Sequence, residues 1–141
     1  MLYAQGAQFD RSDALLARAF ANGLPEGSRF LIGRAIAYQR SGQIDRSVAL
    51  LNQAVAARPA DPELRLFRGR YRVERGECAA AVVDFQQAAK LAPDNAAAFA
   101  SKGLAEACAG DMAAARESFR RSLTLDPNQP KLREYLREGR Q

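Results

Sequence analysis

Residues 78–91 carry Ala81, Val82, Phe85, Ala88 and Ala89 at i, i+3, i+4, i+7 and i+8, the spacing that puts side chains on one face of an α-helix. The stretch that follows repeats the pattern with Ala115, Phe119, Ser122 and Leu125, and Leu51 and Ala54 hold the matching places one segment earlier. Two punctuators frame these helices on a common period. Gly42, Gly76 and Gly110 lie 34 residues apart, and so do Pro59, Pro93 and Pro127. The same interval relates Ala54, Ala88 and Ser122, and also Leu51, Phe85 and Phe119, so a small residue and a large apolar one recur together. A fixed period of this length marks stacked units, none of which buries its apolar face alone.

Each unit reads as two helices. In the unit 62–95, Asp61 is placed to cap the first helix and Pro62 takes the first helical position, where its missing N–H costs nothing. Gly76 supplies the left-handed residue that ends this helix, the second helix spans about Cys78 to Leu91, and Pro93 stops it. Ala35, Gly69 and Gly103, again 34 apart, are small enough to let the paired helices approach closely. The chain is therefore predicted to be all-α, an α-solenoid of antiparallel helix pairs. It comprises a partial repeat over 1–27, full repeats over 28–61, 62–95 and 96–129, and a capping helix over 130–141 with Leu132, Tyr135 and Leu136 turned inward. Residues 8–16 echo residues 43–51 at a spacing of 35, with Tyr3 matching Tyr38, which implies a segment of a longer array or a degenerate first repeat.

The small residue eight places into the unit, the turn glycine, the Ala, bulky apolar and Ala or Ser series and the closing Asp-Pro or Ala-Pro resemble the tetratricopeptide repeat family. Residues 96–129, ending in Leu125-Asp126-Pro127-Asn128, carry almost the whole pattern; 62–95 are nearly as good, and 28–61 are looser, with Ser47 in place of the usual Ala. The resemblance implies a right-handed superhelix whose first helices line a concave groove that holds a peptide or helix of a partner protein. Carried over by position, the groove receives Arg29, Ile32, Ile36, Gln39 and Arg40 from the first full unit. The second gives Leu66, Phe67, Arg70 and Val73, the third Leu104, and the last helix Lys131 and Tyr135. One subfamily grips C-terminal carboxylates of chaperone peptides with Lys, Asn and Arg. Here the corresponding positions hold Ile32, Ile36, Phe67, Ala97 and Ser101, so that clamp is not expected. An amphipathic helix or extended apolar peptide suits the groove better, with Arg70 or Arg40 pairing an acidic side chain. Proteins of this family serve bacterial secretion, pilus assembly and polysaccharide export, among other systems, and the motifs do not choose among them.

Composition adds exclusions. The 141 residues fit one array and leave no room for a second catalytic domain. The chain has no His, which removes the commonest general base and neutral metal ligand. Ser47, Ser118 and Ser122 thus lack an activating imidazole, and Glu106, Glu117, Asp94 and Asp111 read as solvated surface charge. No enzyme, cofactor or metal site is expected. Cys78 and Cys108 read as buried, reduced thiols, with a disulfide or a redox thiol as alternatives. The net charge of +5 concentrates in Arg65, Arg68, Arg70, Arg72 and Arg75. Four of these, at i, i+3, i+7 and i+10, share a face and are expected to bury their stems along the seam between repeats with guanidinium groups outward. Nucleic-acid binding through the Arg65–Arg75 stripe is the alternative, diluted by Glu63, Glu74 and Glu77. Self-association through the N-terminal edge is another. No apolar run approaches the roughly 18 residues a membrane span needs, so no membrane insertion is expected. Met1 to Asp10 do not read as a secretory signal; the segment by itself favours the cytoplasm, with the periplasm open if it is cut from a longer chain.

Overall fold

The computed structural model describes residues 27–139, with Ala14, Leu15, Arg18 and Asn22 ahead of them. The partial repeat expected over 1–27 lies almost wholly outside the described residues. Among those described, seven helices follow one another: α1 Gly27–Arg40, α2 Ile44–Ala57, α3 Pro62–Glu74, α4 Cys78–Leu91, α5 Ala96–Cys108, α6 Met112–Leu125 and α7 Pro130–Glu138. They agree with the paired-helix prediction, and α4 has the limits read from the sequence. Two compact units contain them, Met1–Leu64 and Arg65–Gln141.

The turn within each pair has one construction. Gly42, Gly76 and Gly110 take φ of 77°, 78° and 91°, a conformation that costs glycine nothing and any other L-residue about 1 kcal/mol or more. Around Gly76 its own N–H donates to the Val73 carbonyl at 2.9 Å and the Glu77 N–H to the Arg72 carbonyl at 2.8 Å. This double bond pattern satisfies two carbonyls that the helix end would leave unpaired. The same pair of bonds surrounds Gly42 and Gly110. At the other end of the first helices, Asp61 Oδ1 accepts from the Glu63 N–H at 3.0 Å, and Asn95 Oδ1 accepts from the Ala97 N–H at 3.0 Å. Asp61 is thus the cap expected of it, held in turn by a hydrogen bond from the Ser28 hydroxyl.

Packing within each pair follows the small-against-large rule. A methyl group placed on Gly69 would lie 2.7 Å from the Phe85 ring, and one on Gly103 would lie 2.5 Å from the Phe119 ring. Each ring therefore occupies the space that a side chain on the facing helix would fill. In the first unit the same two registers hold Ala35 and Leu51, both buried: a slightly larger small residue goes with a smaller large one. In the second unit Phe85 joins Leu66, Ala81, Ala88, Ala89, Ala98 and Ala105 in one cluster, with Val73, Val82 and Phe99 packed against it. Burial of a ring such as Phe85 contributes roughly 1.5–3 kcal/mol. α7 closes this unit, its Tyr135 ring meeting Phe119 edge-on at 5.1 Å.

Candidate protein-binding site

The arginine stripe turns out to be an internal device. Asp84, on α4, has no exposed surface. Arg68 Nε and Nη2 donate to its two oxygens at 2.9 and 2.7 Å, and Arg72 Nη1 donates to Oδ2 at 2.8 Å. Arg65 Nη1 stands 3.9 Å from Oδ1. The three do share a helical face, as the spacing requires, but their guanidinium groups point at a buried carboxylate within the same pair instead of outward along a seam between repeats. A buried charge needs such pairing, and it commits Arg65, Arg68 and Arg72 to Asp84. Arg75 pairs with Glu77 at 3.5 Å and lies over the Tyr71 ring, 5.7 Å from its centroid.

Glu106 is not the solvated charge expected of it. It is buried, accepts from the Ser118 hydroxyl at 2.6 Å, and has Lys102 Nζ at 4.0 Å. The serines are likewise structural: Ser47 Oγ donates to the Ala35 carbonyl at 3.1 Å and Ser122 Oγ to the Ala96 carbonyl at 2.8 Å. Each hydroxyl ties the second helix of a pair to backbone of its first helix. Among the described residues no three His, Cys, Asp or Glu side chains gather as a metal site, and no helix is long and apolar enough to cross a membrane.

The groove residues divide by burial. In the first unit Arg29 and Arg40 are exposed and Ile32 and Ile36 half-buried, whereas Gln39 donates to Ser47 Oγ at 3.2 Å and is engaged internally. In the second unit Leu66 belongs to the core cluster, so it serves packing and not the surface. Phe67 and Val73 are half-buried and Lys131 is exposed, while the half-buried Tyr135 is committed to Phe119. Arg70, Val73 and Leu104 come together in a pocket of about 220 Å³ whose other walls are Glu74, Phe85 and Ser101. Leu104, at the edge of this pocket, is 59% exposed. The floor of the pocket is the Phe85 ring, its rim a guanidinium and a carboxylate.

Cys78 and Cys108 are not free thiols. A disulfide joins them, with Cα atoms 5.7 Å apart, inside the range such bonds require. It links the first residue of α4 to the last of α5, one from each of two successive repeats. Neither register carries cysteine in the other repeats, where Ile44, Met112, Arg40 and Glu74 stand, so the period gave no sign of the pairing.

A family model for the tetratricopeptide repeat matches residues 1–62, 32–82 and 66–130. Among solved structures, the N-terminal domain of stress-induced protein-1 from C. elegans superposes with a TM-score of 0.72 at 16% identity, covering 82% of this chain and 96% of that one. MamA does so with a TM-score of 0.71 at 18% identity, covering 94% and 77%. The second such domain of human RPAP3, solved in complex with the HSP70 peptide SGPTIEEVD, gives a TM-score of 0.68 at 23% identity, covering 77% and 91%. No curated protein sequence matches significantly.

Proposed function

The chain belongs to the tetratricopeptide repeat family, and from that premise we propose that it is a protein–protein interaction adaptor that holds a peptide or helix of a partner against its first helices. The observation that carries this reading is the pocket lined by Arg70, Val73, Phe85 and Leu104. It offers apolar burial for one side chain and, at its rim, a guanidinium for an acidic neighbour. The peptide held by the RPAP3 domain supports the class of ligand. Its mode of capture does not carry over, because Ile32, Ile36, Phe67, Ala97 and Ser101 replace the polar set that grips a terminal carboxylate. The setting we propose, a bacterial secretion, pilus or polysaccharide-export assembly, rests on the resemblance alone.

The test is capture of interacting proteins from the native cell with the intact chain and with Leu104→Asp and Arg70→Glu variants. A shared partner retained by the intact chain and lost by both variants, with helical circular dichroism unchanged, supports the reading. Capture that survives both substitutions refutes it.

One further observation favours a second reading, stacking of a second copy on α1. Phe30 is 62% exposed, whereas Leu64 and Ala98, one and two periods on, are fully buried. A position that is buried in every later repeat is here an apolar ring in solvent. Sedimentation of the intact chain and a Phe30→Glu variant decides it: self-association removed by the substitution supports stacking, and a monomer at all concentrations excludes it.

A further inference from the structure

We propose that the Cys78–Cys108 disulfide is a redox latch on the pocket, holding the α5 wall in place when oxidised and releasing it when reduced. The pocket draws Arg70, Val73 and Glu74 from α3, Phe85 from α4, and Ser101 and Leu104 from α5. Its shape therefore depends on where α5 lies against α4. The covalent tie between those two helices is the disulfide, at the end of α5 that carries Leu104. Leu104 and Cys108 are four residues apart, one turn on the same helical face, so the latch acts one turn from the exposed leucine.

Up to Glu106 that end of α5 is anchored, by Ala105 in the core cluster and by the Ser118 hydroxyl on the Glu106 carboxylate; past Glu106 the side chains leave the core. Beyond Ala105 and Glu106, which are buried, Ala107 is half-buried and Cys108, Ala109 and Gly110 are exposed. The final turn is held by backbone bonds, from the Ala109 N–H to the Ala105 carbonyl at 2.9 Å and from the Asp111 N–H to the Glu106 carbonyl at 2.9 Å. Helix ends with few apolar contacts open at low cost, so removing the crosslink frees this turn first.

The chemistry has a defined direction. Cys78 is 7% exposed and Cys108 is exposed, so an incoming thiolate reaches Cys108 Sγ. It forms a mixed disulfide there and expels Cys78 as thiolate. That leaving group sits at the first residue of α4, where unpaired backbone N–H groups favour negative charge. The second thiol of a dithiol reductant then displaces Cys108. The reductant ends as its own disulfide, and the protein has gained two electrons and two protons as two thiols.

The test is native-state amide hydrogen exchange on the full chain, oxidised and after dithiothreitol, alongside a Cys78→Ser/Cys108→Ser variant. We expect dithiothreitol to add two hydrogens to the native mass. Exchange of the amides of Ala105 to Asp111 should quicken about tenfold or more, with α1 and α2 unchanged, and the double variant should exchange like the reduced chain with or without reductant. Three results would each overturn the proposal: no change in mass, equal exchange in both redox states, or an increase spread evenly over all helices, which would make the bond a general staple. The consequence for ligand capture rests on the adaptor reading, but the exchange measurement needs no ligand. Failure of the latch is therefore distinguishable from failure of that reading.

Discussion

Replacement of Asp84 by Ala is the sharpest perturbation the structure suggests. The carboxylate has no exposure and accepts three hydrogen bonds of 2.7 to 2.9 Å from Arg68 and Arg72. Removing one partner of a buried ion pair costs about 3–5 kcal/mol, because the surviving charge is left in the interior. The side chains of Arg68 and Arg72 retain 15% and 25% exposure, which allows their guanidinium groups partial escape to water. The expected loss is accordingly about 2–4 kcal/mol, or roughly 6–12 °C in Tm for a chain of this size. The repeat itself supplies the compensating design. At the registers of Arg65, Arg72 and Asp84 the first unit has Leu31, Tyr38 and Leu50, all buried, and at the register of Arg68 it has Arg34, stacked 5.2 Å from the Tyr38 centroid. The triple variant Arg65→Leu/Arg72→Tyr/Asp84→Leu should therefore lie within about 1 kcal/mol of the natural chain or above it, since a buried ion cluster exchanged for packed apolar groups is often neutral or stabilising. Denaturant unfolding followed by far-ultraviolet circular dichroism measures both. An alanine variant that loses less than about 1 kcal/mol, or a triple variant no more stable than the alanine one, would refute the account of the cluster as a paired buried charge.

Two further substitutions probe the packing. Gly103→Ala should cost about 1–3 kcal/mol by overpacking, because the added methyl meets the Phe119 ring at 2.5 Å and the Ala115 carbonyl at 3.1 Å. Adding Phe119→Leu, which restores the Ala35 and Leu51 combination of the first unit, should recover much of that in thermal unfolding, and no recovery would sink the small-against-large rule. Tyr71 is 7% exposed and its buried hydroxyl has no hydrogen-bond partner, so Tyr71→Phe should be neutral or stabilising by up to about 1 kcal/mol. A loss beyond that in the same unfolding assay would mean the hydroxyl is satisfied in solution.

The framework was legible because it depends on residues with few substitutes. A left-handed turn position admits glycine nearly alone, so Gly42, Gly76 and Gly110 announced the three within-pair turns among the described residues. A side chain cannot share space with a ring, so Gly69 and Gly103 announced the close approach to Phe85 and Phe119. Asp61 was readable as a cap because its neighbour Pro62 fixed the helix start. The polar interior was not legible in the same way. Asp84 and Glu106 look like surface charge on a helical wheel, and only their partners on the facing helix reveal otherwise. A signal did exist: Asp84 shares its register with Leu50, an apolar residue of a buried face, and with Ser118. Leu66, placed in the groove by position, is core because it packs with Phe85, Ala89 and their neighbours, while Ile32 and Ala100 at the same register are only half-buried. The disulfide crosses two registers and two repeats, so no periodic comparison could pair its cysteines.

The seam inside each pair explains why the charge of the chain misleads. In the second repeat a carboxylate on the second helix, Asp84, faces arginines on the first. In the third repeat the carboxylate, Glu106, is on the first helix and a serine on the second, with Lys102 alongside. The first repeat fills the same registers with Leu31, Arg34, Tyr38 and Leu50. One backbone geometry thus accepts apolar, cationic or anionic fillings, provided each buried polar group finds its partner across the pair. Residues so committed cannot read a ligand. The adaptor reading proposed above leaves recognition to outward positions of the first helices, among them Ile36, Arg70 and Leu104, which share one register of the repeat. Unlike the glycines and rings of the framework, these three differ in size and charge. The last two meet in the pocket above Phe85. Selectivity for a partner should therefore reside at the positions where the repeat fails to repeat, and exchanging Arg70 and Leu104 should alter which sequences bind while leaving the helices intact.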